Sequence, residues 1–214
     1  LSPLFATVMT FPLSIEYSDG TSPAGSAPWL TAIFDDEGTP GTVKLKLVAS
    51  NLTGSEFVSK WTFNLNPALS PSDITFSAPI KTGSFTSPTI SKLINSFSAG
   101  PDASYDIEFS FSTSGAGGGT QRFGAGEAAE YTITGSGGAA GLIAADFNFK
   151  SQPGNAGVGG PYLTGAHVQS IGGNDSGWIT VVPGFDPFGG VPEPTSLALC
   201  VLAVCGLATY RSRK

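Results

Sequence analysis

Apolar and polar residues alternate with a period of two along several stretches of the chain. In one of them Val43, Leu45 and Leu47 are separated by two lysines. Successive side chains of a β-strand point to opposite faces, so each stretch predicts a strand with one apolar and one polar face. The alternation covers residues 43–47, 61–65, 105–111 and 130–134.

Shorter apolar runs separated by turn-forming residues extend the same pattern. Further strands are predicted near residues 29–34, 73–77, 147–151, 166–171 and 178–182. Connectors rich in Gly, Pro or acidic residues are predicted at residues 35–41, 114–126 and 135–141. Residues 1–186 show no helical period except for one turn at 141–146. The sequence predicts an all-β protein, an antiparallel β-sandwich of the jelly-roll or immunoglobulin-like kind, followed by one short C-terminal hydrophobic helix.

Composition limits the classes of function. The chain has 214 residues, enough for one domain with an appendage, and 12% of them are charged, about half the usual share. The net charge of −6 argues against a nucleic-acid surface, which needs clustered cations. Both cysteines, Cys200 and Cys205, lie in the last 15 residues. The body therefore cannot contain a disulfide, a thiolate metal site or a cysteine nucleophile. We divide the chain into a body, 1–186, and a C-terminal segment, 187–214.

The C-terminal segment contains an apolar run that ends in cations. Residues 194–210 carry no charge, and as a helix they would be roughly 25 Å long, close to the ~30 Å hydrocarbon core of a bilayer. The predicted stop-transfer residues are Leu197, Leu199, Val201, Leu202, Val204, Leu207, Arg211, Arg213 and Lys214. The positive-inside rule would keep the cations cytoplasmic and the body outside. A buried C-terminal core helix is the alternative for a run of this length.

A Pro-Glu-Pro motif stands directly before this run. Pro192 and Pro194 exclude regular helix and keep the backbone around Glu193 extended, in a form that a processing enzyme can bind. The motif, the apolar helix and the terminal Arg/Lys cluster together resemble the PEP-CTERM sorting signal of exported bacterial proteins. The resemblance covers about residues 191–214, and the two cysteines in the helix depart from the usual Leu/Gly/Ala-rich composition.

That resemblance implies a destination and a partner. Proteins of this family are exported, and their tails are recognised by an exosortase, a multi-pass membrane enzyme with a catalytic cysteine. Pro192, Glu193 and Pro194 would be the recognition element, and the body would reach the cell surface or the exopolysaccharide matrix. Since the chain starts at Leu1 without a basic leader region, we expect that a signal peptide is missing from this sequence. Residues 54–57 with 61–64, and residues 166–169 with 175–178, are similar to a recurring body type of this family, which implies no activity or substrate.

The body offers one set of residues that could form a Ser-His-Asp triad. The segment 174–177 reads Asn-Asp-Ser-Gly, and the only histidine, His167, lies nine residues before Ser176. In chymotrypsin-like proteases the histidine precedes the serine by well over a hundred residues, so the order and spacing do not match. An Asp and a Ser in a turn beside a strand explain the same residues. We therefore expect no catalytic residues and interpret His167 as a structural or surface residue.

Metal and cofactor sites are not expected either. The acidic run 35–38 has oxygen ligands of the kind that Ca²⁺ prefers, but its spacing fits no EF-hand loop and describes an ordinary solvated turn equally well. The glycine-rich segment 115–120 lacks the lysine of a phosphate-binding P-loop.

Tryptophan side chains are the candidates for stacking on sugar rings. Trp61 alternates with Phe63 and Leu65 and is predicted to lie in the core, whereas Trp178 adjoins the loop 172–177 and is the candidate ligand contact. The three-part C-terminal signal, on a body without a convincing set of catalytic residues, favours an exported surface or matrix protein with a structural or adhesive role. The alternatives are a carbohydrate-binding module that retains extracellular polysaccharide through Trp178, and a hydrolase.

Overall fold

The computed structural model describes residues 6–100, 102–152 and 160–188. In these residues two antiparallel sheets pack against each other, and the helical segments are short 3-10 turns. The predicted all-β class and the antiparallel pairing are confirmed. The predicted C-terminal helix lies outside the described residues.

The strands differ widely in length, from two residues to eleven. In chain order they are β1 (Val8–Leu13), β2 (Ile15–Glu16), β3 (Leu30–Asp35), β4 (Thr42–Val48), β5 (Phe57–Phe63), β6 (Ile74–Phe76), β7 (Ile80–Thr82), β8 (Thr89–Ala99), β9 (Asp102–Ser110), β10 (Phe123–Gly124), β11 (Ala128–Gly135), β12 (Thr164–Ile171) and β13 (Asp175–Thr180). The 3-10 segments are Pro71–Asp73, Ala116–Gly119, Gly137–Ala139 and Ala144–Phe147.

Each sheet has a central strand from one of the predicted alternating stretches. Sheet A has the order β1-β3-β4-β11-β6, and β7 pairs with the other half of β11. Sheet B has the order β2-β13-β12-β5-β9-β8, with the short β10 also beside β5. The hairpin formed by β12 and β13 therefore lies next to β5, which positions the candidate site described below.

The inner faces of the two sheets form an aromatic core. Phe63 of sheet B contacts Phe34 of sheet A edge-to-face, with ring centroids 5.2 Å apart, and contacts Phe109 in the same geometry at 6.0 Å. Trp61 is fully buried, as its alternation with Phe63 predicted. In β4, Val43, Leu45 and Leu47 point into the core while the intervening lysines point outward, so the period-two prediction is confirmed there.

The prediction of a strand near residues 147–151 is wrong. Residues 148–152 contain no strand, and Phe147 ends the 3-10 segment Ala144–Phe147, close to the helical turn predicted at 141–146. The Phe147 ring stacks on Phe34 with a centroid distance of 4.5 Å. Phe147 is therefore apolar because its side chain fills the core between the sheets from a loop, and not because it belongs to an alternating strand.

The expectation of one solvated face on every strand is wrong for the centre of sheet B. The outer side chain of Thr62 in β5 is fully buried. Opposite it in β12 is Gly165, where an added Cβ would lie only 2.8 Å from the Tyr17 hydroxyl and 2.9 Å from Ala99 Cβ. Tyr17 and the tip of the β8–β9 hairpin therefore cover this part of the outer face, a long-range contact that periodicity does not encode.

Candidate functional site

Trp178 lies on the outer face of sheet B, opposite His167 in the hairpin of β12 and β13. The two rings stack with centroids 4.8 Å apart and an angle of 16° between their planes. Both side chains are half-buried. One face of the indole is consequently occupied by the imidazole ring.

The pyrrole part of the same indole adjoins the tip of the β8–β9 hairpin. A Cβ added to Gly100 would lie 2.7 Å from Trp178 Cδ1, and Gly100 has a φ of +60°, in the left-handed region that favours glycine. The backbone at this turn thus approaches the ring more closely than any other residue would allow. That Trp178 contacts a ligand stays a prediction. Such a contact would involve the part of the indole that His167 and Gly100 leave accessible.

His167 belongs to a polar row that crosses the outer face of sheet B. Its Nδ1 lies 2.9 Å from Ser59 Oγ, and its strand partner in β5 is Lys60. The Lys60 ammonium forms an ion pair with Glu108 of β9 at 2.8 Å. The row therefore links three strands through side chains, and it stabilises the arrangement of the hairpin beside β5.

The environment of His167 favours the neutral ring. Burial lowers the pKa of His167 below its ordinary value of 6.5, and the positive charge of Lys60 lowers it further. A neutral Nδ1 can accept the Ser59 hydroxyl proton in a hydrogen bond, whereas a protonated Nδ1 cannot. In the unfolded chain the pKa returns to its ordinary value. Between the lowered pKa and 6.5, the unfolded state therefore binds more protons than the folded state.

We expect the free energy of unfolding to fall as the pH decreases from about 7.5 to about 5.5, because protons then favour the unfolded state. H167Q should make the stability of the protein less dependent on pH in this range. Urea unfolding of both proteins at the two pH values measures the difference. Equal pH dependence of the two proteins would show that His167 does not titrate as described.

The residues of the hypothetical protease triad are not assembled. The side-chain hydrogen bonds of His167 within the described residues involve Ser59 and Gln169, and Ser176 lies opposite Gln169. The Asp175 carboxylate accepts a hydrogen bond from the Thr21 hydroxyl at 3.4 Å. Within the described residues, the His167 side chain is therefore hydrogen-bonded to neighbours on its own sheet and not to Ser176 or Asp175.

The acidic run 35–38 forms a turn stabilised by one of its carboxylates. Asp36 is buried and accepts hydrogen bonds from the backbone N–H groups of Thr7, Gly38 and Ala144. Asp35 accepts one from the N–H of Glu37. Both carboxylates therefore have structural partners, and the described residues contain no cluster of three or more side chains suited to a metal ion.

A cleft of about 320 Å³ opens on sheet B, two residues along the β12–β13 hairpin from the His167–Trp178 pair. Its walls include Phe57 at the start of β5, Arg122 just before β10, and Asn174 in the turn between β12 and β13. The Arg122 guanidinium lies over the Phe57 ring, 4.2 Å from its centroid. A second cleft of about 220 Å³, between Arg122 and the glycine-rich segment 118–119, adjoins the first.

Sequence reasoning missed Arg122 and Phe57. The available signal was that Arg122 is the only arginine before the C-terminal cluster and lies two residues after the glycine-rich segment 115–120. Its contact with Phe57 depends on the pairing of β10 with β5, and β10 has only two residues. No alternating pattern could have revealed so short a strand.

The predicted sorting residues, 192–194, and the stop-transfer residues, 197–214, lie outside the described residues. Within the part of the chain that is described, no helix has the length and apolar character needed to cross a bilayer.

Comparison with known proteins finds little. No family model and no curated protein matches the chain. Among solved structures, the chain is similar to the CBM3a-L domain with flanking linkers from scaffoldin cipA of the cellulosome of Clostridium thermocellum. The identity is 13% and the TM-score 0.32, with 86% of this chain and 98% of that chain covered.

Proposed function

We propose that this chain is an exported protein of the bacterial cell surface or exopolysaccharide matrix with a structural or adhesive role. Its C-terminal segment, 187–214, would be a sorting signal processed by an exosortase. The observation that carries this proposal is the order of three features at the C-terminal end: Pro-Glu-Pro at 192–194, an uncharged apolar run, and three terminal cations. A proline-bounded extended segment beside a membrane helix is accessible to a membrane-embedded enzyme.

The body has properties that suit an extracellular structural role. Both cysteines lie in the tail, so an oxidising compartment cannot crosslink the body. The aromatic core joins the two sheets through ring contacts such as that of Phe34 with Phe63. Such a core supports a rigid module on which surface residues can bind a matrix component.

Topology in living cells tests the proposal. Ala68 is exposed in the connection after β5, so A68C in a chain that also carries C200S and C205S provides a single surface thiol. In the native host we expect a membrane-impermeant maleimide to label this variant in unlysed cells that retain their surface matrix. A buried matched variant, A32C in the same background, should stay unlabelled, since Ala32 is fully buried. Labelling of A68C only after lysis would contradict export.

A second candidate function is retention of extracellular polysaccharide by the body. The specific observation is the cleft beside the β12–β13 hairpin, whose walls carry amide, hydroxyl, carboxylate and guanidinium groups. At about 320 Å³ it is near the lower end of the ~300–1,000 Å³ range of small-molecule sites. Polar groups that can both donate and accept hydrogen bonds match the hydroxyls of a sugar.

A further inference from the structure

Arg122 is held in a fixed orientation at the wall of the cleft. Its Nε and Nη2 donate hydrogen bonds to the Thr113 carbonyl at 3.2 and 3.0 Å, while the Phe57 ring supports the face of the guanidinium. A guanidinium has about five N–H groups, so Thr113 leaves several of them available. A cation whose orientation is already fixed loses little conformational entropy when it binds a ligand.

Arg122 forms no ion pair within the described residues, although Glu56 and Glu127 line the adjoining cleft. Within the described residues the ion pair between Lys60 and Glu108 is the only one, so Arg122 has no carboxylate partner there, although Asp175 lines the same cleft. The chain as a whole has a net charge of −6. A half-buried, fixed and unpaired guanidinium in an acidic protein is suited to a single carboxylate from a ligand.

The opposite wall supplies groups for hydroxyls. Asn174 and Ser176 are exposed, and their side chains form no hydrogen bond within the described part of the chain. Gln169 and Asp175 lie beside them along the same hairpin. Amide, carboxylate and hydroxyl side chains together can donate to and accept from neighbouring sugar hydroxyls.

Other ligand classes fit this cleft less well. A phosphate carries more negative charge than one guanidinium neutralises, whereas a uronate carries a single charge that Arg122 can match. An apolar peptide side chain would find no apolar pocket, because Phe57 is only 3% exposed and lies under Arg122. Nucleic acid would need several clustered cations.

We propose that the cleft binds an acidic polysaccharide through a uronate unit, whose carboxylate pairs with Arg122 and whose hydroxyls bind Asn174 and Ser176. The inference deepens the second proposed function, retention of polysaccharide, and depends on it. It assigns the ligand a chemical class, a sugar with one carboxylate per unit, and a binding orientation.

Calorimetric titration of the full chain in detergent micelles tests the inference. The probes are an oligogalacturonide and a neutral gluco-oligosaccharide of equal length. We expect the oligogalacturonide to bind more tightly than the neutral sugar, with an affinity that falls as salt is added. R122Q should weaken binding of the oligogalacturonide about 10- to 100-fold, as expected for a charge-assisted contact. K46Q, which removes an exposed cation from the outer face of sheet A, should leave the affinity unchanged.

Two further variants separate a ligand contact from a structural role of Arg122. R122K keeps the charge but not the paired N–H groups, and we expect an intermediate affinity with an unchanged urea midpoint. N174A, in an exposed turn, should weaken both uronate and neutral sugar binding without loss of stability. If only the neutral sugar binds, or if R122Q and K46Q are equivalent, the uronate assignment is overturned while polysaccharide retention stands. If neither sugar binds, the uronate assignment and polysaccharide retention are both overturned.

Discussion

Replacing Phe63 with alanine is expected to lower the free energy of unfolding by about 3–5 kcal/mol. Phe63 is 1% exposed, and its ring contacts Phe34 of the facing sheet as well as Trp61 and Phe109 of its own sheet. Removing the ring leaves a cavity at the junction of the two sheets, and neighbouring aromatic rings cannot collapse into it without losing their own contacts. Urea unfolding followed by tryptophan fluorescence measures the loss.

A matched control is available at the start of the C-terminal segment. Phe188 is 38% exposed, so F188A should change the free energy of unfolding by only about 0.5 kcal/mol. F63L, which keeps much of the buried volume, should fall between the two. Equal losses for F63A and F188A would mean that the two sheets do not share the core described here.

Replacing Pro192, Glu193 and Pro194 together with alanine is expected to change the delivered protein from mostly processed to almost entirely unprocessed. Alanine is the best helix former, so the predicted apolar helix could extend through this segment in place of the extended backbone that we expect an exosortase to bind. The unprocessed chain should then accumulate in the membrane fraction. Immunoblots of membrane and surface fractions from the native host measure both effects.

P183A is the matched control for that variant. Pro183 is exposed and lies before the motif, so its loss also removes a proline without altering the recognition element. Processing of P183A should equal that of the unchanged chain. Normal processing of the triple variant would show that the Pro-Glu-Pro motif is not recognised.

The sequence predicted the strands whose two faces meet different environments. In β4 the lysines point outward and the valine and leucines point inward, so the burial pattern of the strand matches the alternation in its sequence. In β8 it does not, because Leu93 and Ile94 are adjacent, Asn95 has a φ of +48°, and the pairing register with β9 shifts after Lys92. β8 is therefore not among the predicted strands, and β1 is not among them either.

The candidate site was predictable only in part, because some of its contacts are between residues close in sequence and others are long-range. Trp178 and His167 lie on two predicted strands joined by a short turn, so their proximity follows from local sequence. Arg122 and Phe57 are brought together by long-range pairing across a two-residue strand. The covering of sheet B by Tyr17 and Ala99 is likewise a long-range contact. Features of this kind depend on tertiary packing, which overrides local periodicity.

The mass of the intact protein recovered from the surface of the native host tests the central claim most directly. If the C-terminal segment is a sorting signal that an exosortase removes, the measured mass lacks the residues beyond about position 194. A surface-delivered protein whose mass still includes Lys214 would contradict the account.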